Sequence, residues 1–68
     1  MKISARNQLR GTVVSVKEGA VEAQVVLDVG GQHIVSVVTV DAVRELGLSE
    51  DATAIAVVKA DSVMLAVD

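Results

Sequence analysis

Six side chains carry hydrogen-bond donors with no evident catalytic partner: Ser4, Arg6 and Asn7 near the start, Thr39 in the middle, and Lys59 and Ser62 near the end. Arg offers a rigid fork of N–H groups and Lys a point charge, while hydroxyls and free backbone N–H groups at turns complete a shell that only donates. Such a shell suits a tetrahedral dianion such as sulfate, phosphate or molybdate, and a carboxylate inside it would repel the ligand. Serines and lysines at strand ends are also ordinary surface residues, so spacing alone leaves a solvated surface as the alternative.

Other chemistry finds little material. The chain has no cysteine and one histidine, so it has neither a thiol nucleophile nor the ligand spacing of a metal site. No serine has a neighbouring His and Asp in the sequence, and the expectation is a protein that is not an enzyme. His33 reads as a surface or packing residue of a strand. Asp41, Glu45, Glu50 and Asp51 read as a solvated face, Asp41 suiting a helix N-cap. Gly11, Gly19, Gly30, Gly31 and Gly47 form no phosphate-binding fingerprint, and each marks a turn, bulge or cap. The net charge of −3 and the absence of Phe, Tyr and Trp leave no basic groove or stacking platform for nucleic acid. No apolar stretch approaches the roughly 20 residues of a membrane span, and the N-terminus lacks a secretory apolar region. The expected location is the cytoplasm.

The donors need a scaffold, and periodicity supplies one. Val21 to Val29 places apolar residues at odd positions, the period of a half-buried strand. Arg10 to Lys17 is a preceding strand that breaks at Glu18-Gly19, and Gly30-Gly31 turns the chain into a third strand over 32–40. Asp41 to Leu48 reads as a short helix, capped by Thr39 or Asp41 and ended by Gly47. Thr53 to Lys59 and Ser62 to Val67 read as two further strands. This order predicts an all-β fold for residues 1–68 as one domain, a small five-stranded OB-like barrel with one short helix between strands three and four. A generic small sandwich is the alternative.

A 68-residue chain buries only about 60% of its unfolded surface, and this one has no disulfide to compensate. Val35 and Val37 oppose Ile34 and Val38 across one strand, and Ile55 and Val57 oppose Ala54, Ala56 and Val58 across another. One small barrel cannot bury both faces, so a subunit interface is expected.

Ser4-Ala5-Arg6-Asn7-Gln8-Leu9, Gly11 to Val21 and Lys59-Ala60-Asp61-Ser62-Val63-Met64 together resemble the molbindins, single-domain bacterial molybdate-binding proteins. The resemblance spans essentially the whole chain, with DAVRELGL between the two end motifs. It implies an OB-like homohexamer built from dimers that binds molybdate or tungstate between subunits, without a cofactor, for storage, buffering and homeostasis. Carried over by position, the oxyanion pocket would comprise Ser4, Arg6, Thr39, Lys59 and Ala60, with Ser62 a further contact and Ala60 acting through its backbone N–H. The Gly19-Ala20 turn would contribute to a second class of site on a symmetry axis. Asp61 departs from the small hydroxyl residue common there, and a carboxylate pointing inward would weaken anion binding. The competing functions are a nucleic-acid-binding OB module and a purely structural assembly domain.

Overall fold

In a computed structural model describing residues 1–68, the chain forms four strands, one short α-helix and a single 3₁₀ turn. Strand β1 (Asn7–Glu18) is followed by β2 (Glu22–Val29), β3 (Gln32–Thr39), helix α1 (Val40–Leu46), β4 (Thr53–Val58) and the turn η1 (Ala60–Ser62). All neighbouring pairs are antiparallel, in the order β3-β2-β1-β4. The sheet is therefore a curled half-barrel whose two edge strands, β3 and β4, do not pair with each other.

Curling begins in β1. Val13 faces Leu27 but Ser15 faces Val26, so Val14 is an extra residue, and such a bulge bends the strand and increases its twist. The bend brings β1 tightly over β2 at Gly11, where an added Cβ would stand 2.5 Å from the Asp28 carbonyl oxygen. Only glycine fits so close a backbone approach. Beyond the bulge, Val13 is held from the other side by the loop preceding β4: its N–H donates to Ala52 (2.8 Å) and its carbonyl accepts from Asp51 (2.9 Å).

The core follows the odd positions of β2. Ala23, Val25 and Leu27 are buried with Val13 of β1 and Val40 and Val43 of α1, while Ile34, Val38, Leu48, Ala54 and Ala56 pack around them. Thr39 starts the helix by accepting the Ala42 N–H on its hydroxyl (3.0 Å), and Gly47 ends it at φ 64. Asp41 lies in the first turn and is not the cap.

The expected fifth strand over Ser62–Val67 is absent from this chain. The Ser62 N–H closes back on the Lys59 carbonyl and the Val63 N–H on that of Ala60, and Val63 then leaves the turn extended. The tail 63–68 runs into solvent, with Met64, Leu65 and Val67 more than nine-tenths exposed. Between the edge strands β3 and β4 the half-barrel is open. The opening is an apolar groove of ≈ 480 Å³, walled by Ile34 and Val38 of β3 and Ile55 and Val57 of β4 and floored by Val25 and Leu27.

Candidate functional site

The last rung of the β1–β4 ladder pairs Asn7 with Val58. Arg6 immediately precedes β1 and Lys59 immediately follows β4, so both adjoin this end of the ladder, with Ser4 and the turn Ala60–Ser62 lying beyond the paired residues. The chain's first and last polar clusters thus lie at the same end of the sheet.

Local interactions give this end its shape. Ser4 and Arg6 sit at bends on either side of Ala5, which is buried, so the segment is anchored by its one apolar residue while its polar neighbours face out. Gln8 donates through Nε2 to the Ala5 carbonyl (2.9 Å), which fixes the bend from within β1. Across from it, Lys59 precedes the 3₁₀ turn in an extended conformation and Ala60 opens that turn. The first N–H groups of a helical turn lack partners inside it, so the Ala60 N–H is oriented as a donor. Ser62 closes the turn and is exposed. Arg6 has no carboxylate partner, whereas Lys59 Nζ lies 3.9 Å from Asp61 Oδ2.

Of the six expected site residues, five gather here: Ser4, Arg6, Lys59, Ala60 and Ser62. Thr39 does not. It pairs with Glu22, beside the rung joining Glu18 to Ala23, and so lies at the other end of β1. At a rise of about 3.3 Å per residue, the 12-residue strand puts a contour of roughly 36 Å between the two ends.

Around Thr39 is a second, more polar concavity lined by Glu18, Gly19, Ala20, Val21, Thr39, Val40, Asp41 and Arg44. The Val40 N–H donates to the Val21 carbonyl (2.8 Å), which ties the helix start to the β1–β2 turn. The Thr39 hydroxyl uses a lone pair on the helix and keeps its proton free to donate outward. Arg44 is the cation of this concavity, and Glu18 neutralises it at 3.7 Å. Neither residue stood out in the sequence. Their i-to-i distance along the chain is long, and only the hairpin and helix packing brings them together. No group of three or more His, Cys, Asp or Glu side chains is arranged to hold a metal ion, and no helix is long and apolar enough to cross a membrane.

Comparison with known proteins finds relatives that match nearly the whole chain. The TOBE domain model matches residues 3–65. Over 66 residues the chain is 53% identical to molybdenum-pterin-binding protein 2 of Clostridium pasteurianum, covering 96% of this chain and 97% of the relative. A molybdate-binding protein from Sporomusa ovata has the same fold, with a TM-score of 0.92 and 38% identity over 97% of this chain and 98% of that one. The cytoplasmic molybdate-binding protein ModG, crystallised with molybdate bound, superposes with a TM-score of 0.85 and 52% identity, over 88% of this chain and 43% of ModG.

Proposed function

The chain belongs to the TOBE domain family, in the group of the molbindins, and from that premise we propose that it binds molybdate, or the nearly identical tungstate, in sites assembled between copies of itself. One observation carries this reading. Ser4, Arg6, Lys59, Ala60 and Ser62 converge on one end of the sheet with Arg6 free of any carboxylate, and the remaining expected donor, Thr39, lies at the other end. A shell holding all six then takes its Thr39 from a neighbouring subunit.

The open barrel explains how such neighbours join. A tail with four apolar residues exposed and a groove of strand width between β3 and β4 are complementary, and a second copy's residues 63–68 would supply the fifth strand of an OB-like barrel. Burying Val63, Met64, Leu65 and Val67 would stabilise the pair by about 1.5–3 kcal/mol per side chain. Repetition of this exchange and of the end-to-end contact at Thr39 gives dimers assembled into a hexamer.

Binding needs no catalysis. Two cations neutralise a dianion, hydroxyls and the Ala60 N–H orient its oxygens, and pocket size separates molybdate and tungstate from the smaller sulfate. We assign the protein a cytoplasmic role in molybdate storage, buffering and homeostasis, in line with the molybdate named for the Sporomusa ovata protein and for ModG and the cytoplasmic location named for ModG.

Calorimetric titration with molybdate, tungstate and sulfate, beside native mass measurement, tests the reading. Saturable micromolar binding of the first two by an oligomer, with sulfate weaker, is the expected result. A protein that binds none of the three, and whose melting temperature ignores them, would be an assembly domain only.

A further inference from the structure

Only two ion pairs form in the chain, and one of them occupies a cation of the proposed anion site. Lys59 Nζ lies 3.9 Å from Asp61 Oδ2, two residues along the same turn, with both side chains about three-quarters exposed. Arg6, at the same end of the sheet, has no such partner. We propose that Asp61 is a built-in counter-anion for Lys59, a competitor for the lysine that an arriving oxyanion must displace, so that this one carboxylate sets how tightly the site holds its ligand. The inference rests on the reading of Lys59 as an oxyanion contact.

Charge and geometry define what Asp61 does. With Arg6 and Lys59 each contributing +1, a bound dianion of −2 leaves the site neutral; an Asp61 carboxylate still on Lys59 leaves it at −1. Like charges sharing one ammonium are unfavourable, so ligand entry and Asp61 contact with Lys59 oppose one another. An exposed pair of this length is weak, and therefore the competition lowers affinity rather than abolishing it.

The test is a double-mutant cycle read by calorimetry with molybdate, using the full chain, Asp61→Asn, Lys59→Ala and the two combined. Asp61→Asn should bind about two- to fivefold more tightly than the unaltered chain, the size expected when a weak surface pair is removed. In the Lys59→Ala background the same change should have less than about a twofold effect, since the competition acts through the lysine. An unchanged or weakened Asp61→Asn protein overturns the proposal. So does an equal gain in both backgrounds, which would mark Asp61 as a general source of repulsion. If Lys59→Ala binds normally, Lys59 lies outside the site and the proposal falls, while an oxyanion site on Arg6 and the other donors survives. If none of the four proteins binds molybdate, the functional reading itself has failed.

Discussion

The two ends of β1 are built from similar side chains and do different things. At one, Arg6 stands without a counter-ion among hydroxyls and a turn N–H. At the other, Arg44 is matched by Glu18, and the Thr39 hydroxyl already serves the helix. Both ends contain a guanidinium, a hydroxyl and a turn. The difference lies in the guanidinium: Arg44 is paired with Glu18 within the chain, whereas Arg6 has no carboxylate partner.

The largest expected effect comes from removing what joins the ends across subunits. A chain ending at Ser62 keeps every proposed contact except Thr39's neighbour, yet its groove would stay empty. Sedimentation should find it smaller than the full-length assembly, and calorimetry should find molybdate binding lost. Truncated chains that still assemble and bind would separate the tail from the site.

Charge removal at the two ends should then give unequal results. Arg6→Ala should weaken molybdate binding by about tenfold or more, the loss of a charge-assisted hydrogen bond worth roughly 1.5–3 kcal/mol. Arg44→Ala should change binding by less than about twofold and stability by less than about 1 kcal/mol, because an exposed ion pair contributes little. Equal losses would erase the distinction between the ends.

A smaller effect is expected at Thr39. Thr39→Val removes both the cap and the outward donor, so it should lower unfolding stability by about 1 kcal/mol and weaken binding several-fold, whereas Thr39→Ser should preserve both. Thermal melts and titration of the two variants separate the structural from the ligand role.

Much of this scaffold was legible in the sequence because local chemistry determined it. The odd positions from Val21 to Val29 predicted an apolar face, on which Ala23, Val25 and Leu27 are buried, whereas Val21 precedes the strand and is exposed. The sequence allows Thr39 or Asp41 as the cap, and the structure uses Thr39; Gly47 ends the helix in the left-handed conformation that favours glycine. Long-range pairing was not legible. The first strand begins at Asn7 rather than Arg10 because β4 pairs with its opening residues, a partnership invisible to a local pattern. The fifth strand failed for a related reason. Alternation in Ser62–Val67 reports that the segment suits a sheet, but not which chain's sheet it joins. Among the site residues, the grouping of Ser4 and Arg6 with Lys59 and Ala60 is implied by motif resemblance alone, whereas Thr39's position at the other end of β1 depends on a register that no residue spacing reveals.

The most direct test mixes two defective chains. One carries Arg6→Ala with Lys59→Ala; the other carries Thr39→Asp, which retains a good helix cap while placing a carboxylate against the ligand. Each alone should fail to bind molybdate. Refolded together, they form assemblies in which some sites join an intact Arg6 and Lys59 from one chain to an intact Thr39 from another, and binding should return at a fraction of the normal stoichiometry. No recovery in mixed assemblies, or normal binding by the Thr39→Asp chain alone, would contradict a site shared between subunits.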